Sequence, residues 1–324
     1  MTHKQHPIGS GFSAASTADD VLAGIDLAGK NVVVTGGHAG IGLEVSRALT
    51  KAGASVTATS RHPPNVAASL AGIERIEVDR LDLVDPASVD DFVQRWLATT
   101  RPLHILINAA GASGGPERDA RGYETQFATN HLGHFQLTLG LLPALRAAHG
   151  ARVVNVSSGA QRFSDIRWDD PHFHSGYSSR AAYAQSKTAN VLFAVELDRR
   201  FAGDGIRAYA VHPGVVVGTK LNSSAGQDAL RAMGLIDAGG NAIIDPKVGK
   251  KTPQQGASTI VFAATSPLLA GIGGVYLKDN DISRLDDEPR RLTADCIPSE
   301  VVSHSVDPIS ARRLWDLSER LLEA

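Results

Sequence analysis

Tyr183 and Lys187 stand four residues apart in the stretch Ala-Tyr-Ala-Gln-Ser-Lys, residues 182–187. On a helix, positions i and i+4 share a face, so a phenol and an ammonium become neighbours. Such a pair can handle a proton. A carbonyl that accepts hydride needs a proton on its oxygen, and an alcohol that gives hydride must lose one. The ordinary pKa of a phenol, about 10, is too high for a base near neutrality, and lowering it by about 3 units takes roughly 4 kcal/mol of preference for phenolate. One ammonium at about 4 Å gives about 1 kcal/mol in water and about 4 kcal/mol at an effective dielectric near 20. The pair therefore does this chemistry only where water is largely excluded. The plainer alternative is a half-buried ring with a lysine stem lying over it. The other tyrosines, Tyr123, Tyr177, Tyr209 and Tyr276, have Phe127, Ala181, Pro213 and Asn280 at the fourth position, so only Tyr183 has the lysine.

A second signal lies in Thr-Gly-Gly-His-Ala-Gly-Ile-Gly, residues 35–42. Gly36, Gly40 and Gly42 follow an apolar run, Asn-Val-Val-Val-Thr, and open a helical pattern. Glycines let the backbone approach a pyrophosphate, and a helix start offers free N–H groups and the positive end of a dipole. The spacing differs from the commoner Gly-x-Gly-x2-Gly, and a glycine trio without its strand and helix would say little.

The elements that must position these residues alternate. Strands are expected at 31–35, 54–60, within 75–83, at 103–111, 151–158 and 207–214, with a last one at 273–277. Helices are expected over 41–53, from Pro86 to Ala98, as one long helix over 123–150, over 180–203, and after Pro253. Ser16-Thr17 suggests a short capped helix ahead of the domain. Strict alternation predicts an α/β fold, a Rossmann-type doubly wound parallel sheet with helices on both faces. The domain reading is an N-terminal extension over 1–29, then a single domain over 30–324.

The bulk numbers narrow the partners. With 32 basic against 34 acidic residues and no long like-charge run, nucleic acid is not favoured. The one cysteine, Cys296, excludes an internal disulfide and a cysteine-rich metal site, and fits a reducing compartment. No apolar run approaches the length of a membrane span. A cytoplasmic protein with no membrane span is expected. His131 and His134 are three apart without an acidic or cysteine partner, so packing or capping is expected of them rather than metal binding.

The motifs TGGHAGIG, INAAG (107–111), NVSS (155–158), YAQSK (183–187) and HPG (212–214) occur in the order and spacing of the short-chain dehydrogenase/reductase family, which the chain resembles from about Asn31 to Tyr276. A closer likeness is to its retinol-dehydrogenase-like and protochlorophyllide-reductase-like branch, through TNHLGHF (129–135), WDD (168–170), AYAQSKTANVLF (182–193) and KTPQQGA (251–257). The resemblance implies a catalytic set of Asn130, Ser158, Tyr183 and Lys187. Tyr183 is then the acid/base and Lys187 its tuner and a ligand of the nicotinamide ribose. Ser158, rather than Ser157, polarises the substrate oxygen, and Asn130 holds a relay water. The same resemblance implies a cofactor site of Gly36, Gly40, Ile41 and Gly42 at the pyrophosphate and Asp82 with Leu83 at the adenine, while His38 and His62 are candidates to assist Arg61 at a 2′-phosphate. Asn108, Ala109 and Gly111 fall along the adenine ribose. Pro213, Gly214 and Thr219 fall at the nicotinamide, which Tyr183 and Lys187 also meet. The family commonly has Asn-Asn-Ala-Gly where this chain has Asn-Ala-Ala-Gly, which removes one amide.

At the end of the second strand an acid favours a free 2′-hydroxyl, whereas an arginine accommodates a 2′-phosphate. Arg61 stands there with no acid nearby, and a guanidinium suits phosphate bidentately. NADP(H) is expected over NAD(H), and no metal. A substrate lid is expected over about 215–252. With Phe163, Trp168, Phe173 and Tyr177 it suggests an apolar pocket for a small, lipophilic carbonyl or alcohol, and His172 and His174 are further candidates for its lining. Alternatives are a C=C reductase within the same family and a non-catalytic NADP(H)-binding sensor. A homodimer or homotetramer through the two long helices is compatible with the same pattern.

Overall fold

The computed structural model describes residues 4–216 and 226–323. Valines 32, 33 and 34 of β1 (Asn31–Thr35) are all fully buried, yet they enter two different cores. Alternate strand residues point to opposite faces, so an unbroken apolar run means a strand covered on both sides. Val32 and Val34 pack with Val45 and Leu49 of α2 (Gly40–Lys51) and Ile260 and Phe262 of α9 (Pro253–Thr265). Val33 faces Phe92 of α3 (Pro86–Ala98), Phe135 of α5 (Gly133–Gly140) and Phe193 of α7 (Ser179–Phe201).

The other strands are β2 (Ser55–Ser60), β3 (Ile76–Arg80), β4 (Ile105–Asn108), β5 (Ala151–Val156), β6 (Ile206–His212), β9 (Val275–Lys278) and β10 (Asp281–Ile282). The sheet order is β10-β9-β6-β5-β4-β1-β2-β3, with all pairs parallel except β10 against β9. The expected doubly wound sheet is thus present. It carries one antiparallel edge strand beyond the strand expected to be last. Chain order reverses between β1 and β4, which is where such sheets open a crevice at the carboxyl ends of their strands.

The N-terminal segment joins the same core. α1 (Ala18–Leu22) has the expected capping box, Thr17 with Asp20, and buries Val21 and Leu22 against α2 and α9. Gln5 is buried and bonds Tyr276 and Ser283.

The helix expected over 123–150 is broken. α4 (Thr125–Phe127) passes into a π-helical turn, Ala128–Leu132, where the N–H of Gly133 reaches the carbonyl of Ala128. After α5, Pro143 lies in the first turn of a separate α6 (Leu142–Ala147). Proline has no N–H to continue the ladder but suits a first turn. Gly133 rides against the main chain of Leu83, where a Cβ would collide with the Leu83 carbonyl oxygen.

A short pair, β7 (Val215–Val216) and β8 (Lys250–Lys251), closes the root of the expected lid, which includes α8 (Gln227–Ala232). The fully buried Lys251 pairs with Asp279 at 2.7 Å. The C-terminal α10 (Pro308–Glu323), not anticipated from the sequence, lies along α7. Its Trp315 sits 4.9 Å from Phe135 and 6.0 Å from Phe193, with the Arg200 guanidinium 4.4 Å over the indole.

Candidate active site

β5 runs on into two serines, Ser157 and Ser158, that diverge as adjacent extended residues must. Ser157 is buried and donates to the Lys187 carbonyl at 2.7 Å. Ser158 caps a single 3-10 turn, Gly159–Phe163, by accepting from Ala160 N, and its hydroxyl stands near enough to the Tyr183 phenol to favour the phenolate. Tyr183 is partly buried, one turn into α7 behind its Ser178 cap. Lys187 is 4 % exposed, donates from Nζ to the Val156 carbonyl at 3.0 Å, and lies 5.5 Å from the Tyr183 ring centre. Ser158, Tyr183 and Lys187 thus share one wall.

Their electrostatics differ from the simple expectation of a tuned phenol. Burial pushes the Tyr183 phenol up to about 12, with the Ser158 hydroxyl only partly opposing it. Burial also brings the Lys187 ammonium down to about 8. A closed site strengthens the lysine's attraction, but it also removes the water that would stabilise a phenolate. In the polypeptide alone the second effect wins, so Tyr183 holds its proton.

Asn130 lies in the π-helical turn. Its Oδ1 accepts from Ala112 N at 2.7 Å, and its Nδ2 donates to Ala112 O at 3.0 Å and Ser186 Oγ at 2.9 Å. The side chain therefore clamps the loop after β4 onto α7. Gly111 lies in that loop, and a Cβ there would be 3.5 Å from Asn130 Oδ1 and 3.7 Å from Lys187 Nζ.

A cavity of about 1120 Å³ runs from Arg61 and His62, past the glycine loop, to Tyr183, Lys187 and Pro213. Gly36 has φ +67 and Gly40 φ +52, the left-handed region that favours glycine. Gly42 is needed for closeness: a Cβ there would stand 2.5 Å from the Gly36 carbonyl oxygen. The bare loop, opening α2 at the cavity wall, fits a dinucleotide's pyrophosphate. Gly42→Ala should therefore push the loop open and cost at least about tenfold in nucleotide affinity; a fluorescence titration with NADPH that matches wild type would refute this role.

His38, Ile41, Asp82, Leu83, Ala109, Pro213 and Gly214 also line the cavity. The ring of His38 is fixed by Nδ1 donating to Thr59 O at 3.0 Å. Asn108 does not line it. Its amide turns into the sheet and donates to Asn155 Oδ1 and Thr138 Oγ1, tying β4 to β5 and α5. Thr219 lies outside the described residues.

The expected aromatic pocket is not what the 159–181 segment builds. Phe173 is buried, Trp168 packs beneath Arg313, and Phe163 lies under Arg180 at the surface. His172 stacks on Tyr123 at 4.3 Å, and His174 is exposed. None of these lines the cavity; beyond Ser158 and Tyr183 it is lined instead by Ser113, Glu117, Thr129, Arg180 and Val216 among the described residues. No group of three or more metal-ligating side chains occurs among the described residues.

Sequence reasoning missed Thr35, Ala112, Ser186 and His134. Thr35 Oγ1 receives the N–H groups of both Ala109 and Ala110. That ties the Ala109–Ala110 segment to the end of β1, where the family's second asparagine is absent. Partners this far apart leave no periodic signal.

The sequence model described as short chain dehydrogenase matches residues 30–230. A Streptomyces lividans protein described as a "probable oxidoreductase" is 44 % identical over 308 residues, covering 93 % of this chain and 100 % of its own. Mouse retinol dehydrogenase 12 is 36 % identical over 305 residues, covering 92 % and 88 %. Among solved structures, an uncharacterized protein of Mycobacterium paratuberculosis superposes with a TM-score of 0.70 at 31 % identity, covering 96 % of this chain and 98 % of that one. The RhlG/NADP active-site complex of Pseudomonas aeruginosa does so with 0.58 at 25 %, covering 78 % and 95 %.

Proposed function

The chain belongs to the short-chain dehydrogenase/reductase family, and from that premise we propose that it is an NADP(H)-dependent oxidoreductase acting on the carbonyl or alcohol of a small, lipophilic substrate. The observation that carries the reading is the convergence of Ser158, Tyr183 and Lys187 on one cavity wall beyond the glycine loop. The nicotinamide, when bound, supplies or accepts the hydride. Ser158 orients and polarises the substrate oxygen. In carbonyl reduction Tyr183 gives that oxygen the proton that burial holds on the phenol. Lys187 holds positive charge 5.5 Å from the centre of the phenol ring and would donate to the nicotinamide ribose.

Arg61 supports NADP(H) over NAD(H). It lines the adenosine end of the cavity, among no ion pair of the described residues, with no carboxylate at the end of β2. An apolar substrate body is supported by Val216 at the lid root, and by the 36 % identity to a protein named for retinol. A cytoplasmic location is part of this reading. It is supported by the absence, among the described residues, of a helix long and apolar enough to cross a membrane. Since α10 covers α7, self-association of two copies would use another face.

The test is NADPH oxidation across a panel of lipophilic aldehydes and ketones, repeated with NADH. Arg61→Ala should weaken NADPH binding by about 10- to 100-fold and leave NADH nearly unchanged, the loss expected for a charge-assisted contact. Equal effects on both nucleotides, or a wild type preferring NADH, would refute the assignment of Arg61.

A further inference from the structure

His134 is 1 % exposed and both of its ring nitrogens are engaged. Nδ1 is 3.0 Å from the Asn130 carbonyl oxygen, which can only accept, so Nδ1 carries the proton. Burial, with the Lys187 charge adding to it, brings the imidazolium down to about 4, so the ring is neutral and Nε2 is a bare acceptor. Thr35 Oγ1 is 2.9 Å from Nε2 and 3.4 Å from the Ile107 carbonyl oxygen, so the shorter contact, to the histidine, takes its proton. With its single proton spent there, Thr35 Oγ1 accepts the N–H groups of Ala109 at 2.9 Å and Ala110 at 3.0 Å. Only one proton arrangement satisfies the chain: Ala109 and Ala110 to Thr35, Thr35 to His134, and His134 to Asn130. A second tie holds the histidine's own backbone, because Thr138 donates to the His134 carbonyl and receives Asn108.

The chain joins three parts of the candidate site that sit far apart in sequence. One end is the cofactor wall at Ala109–Gly111, the middle is the end of β1, and the other end is the turn that carries Asn130. We propose that His134 is a positioning residue, fixing the cofactor wall through Thr35 and the Asn130 turn through its other nitrogen. Because Asn130 clamps Ala112 and Ser186, and Gly111 lies against Lys187, a slack Asn130 turn loosens the surroundings of the lysine. The inference rests on the catalytic reading above for its kinetic arm and on geometry alone for its structural arm.

Two isosteric variants separate the two ends. The amide nitrogen of His134→Asn overlays Nδ1 and keeps the donor to Asn130, but cannot reach Thr35. The amide oxygen of His134→Gln overlays Nε2 and keeps the acceptor for Thr35, but releases Asn130. His131→Gln serves as the control, since His131 is equally buried but bonds Ser318 of α10 and neither Thr35 nor the Asn130 carbonyl. The readouts are amide hydrogen exchange at Ala109 and Ala110, NADPH affinity, and kcat on a carbonyl that the wild type reduces. His134→Asn should speed exchange at both amides and raise the NADPH Kd, each by about tenfold, with kcat close to wild type. His134→Gln should keep exchange and Kd but lose about tenfold in kcat. Both variants behaving like the control, with only a lower melting temperature, would overturn the inference. If the wild type failed to bind NADPH, the functional reading would fall, and the exchange arm would still decide this one.

Discussion

Tyr183→Phe should lower kcat for carbonyl reduction by about 10²- to 10⁴-fold, the usual worth of a positioned general acid, while the NADPH Kd stays within about threefold because the ring and its packing remain. The substitution removes one oxygen, the one whose proton burial holds in place up to about pH 12. Water is a poor substitute, because the wall around Tyr183 is closed by the buried Lys187 and by the loop that Asn130 clamps. The companion expectation concerns pH. Lys187 is charged below about pH 8 and neutral above it, so its support of the site is present on the acid side. The kcat/KM for reduction should therefore fall as pH rises through about 8, well before the phenol itself titrates. Stopped-flow NADPH oxidation between pH 6 and 10 measures both. Turnover that survives the loss of the hydroxyl would remove Tyr183 as the proton donor, and a flat profile through pH 8 would remove Lys187 as its partner.

Acid should unfold this protein early. Burial depresses four histidines: His131 and His212 to about 3, His134 and His172 to about 4. All four are nearly inaccessible to solvent. Each is neutral in the folded chain and takes a proton near pH 6.5 once unfolded. The unfolded state therefore binds more protons below 6.5, and stability falls with falling pH. The contribution is complete above about pH 6.5 and is lost progressively down to the folded pKa values. At pH 5 each histidine costs roughly 2 kcal/mol, so four cost roughly 8 kcal/mol, comparable to the whole stability of a typical domain, about 5–15 kcal/mol. Glu300, held down to about 2 largely by Lys278, adds its own loss only below the ordinary carboxylate range. Urea midpoints from pH 7.5 to 4.5 should drop steeply below 6, and a midpoint unchanged to pH 5 would mean that these rings charge without unfolding. His131→Gln should blunt the pH dependence, since glutamine cannot titrate.

How far the sequence alone reaches follows from the range of the forces involved. Pro86–Ala98 is a helix with the bounds expected from its residues, because its start is set locally by Asp85 as cap and Pro86 in the first turn. β1 and the glycine loop were legible because three consecutive valines and a left-handed glycine respond to neighbours a few residues away. Tyr183 and Lys187 share a face because a helix of 23 residues obliges them to. The break at Asn130 was not legible. A continuous apolar pattern hides a π-helical turn, and the Asn130 side chain in it bonds Ala112, 18 positions upstream. The aromatics of the 159–181 segment were misassigned because composition cannot say which way a side chain turns, and their partners come from the far end of the chain, as Arg313 does for Trp168. The hydrogen bond from Thr35 to His134 spans 99 positions. Local propensity and periodicity decided most of the elements and the residue types that line the glycine-loop end of the cavity. The proton state of Tyr183 and the tether of the cofactor wall were left to tertiary structure, since both depend on how much water the assembled walls exclude and on which buried donors and acceptors must find each other there.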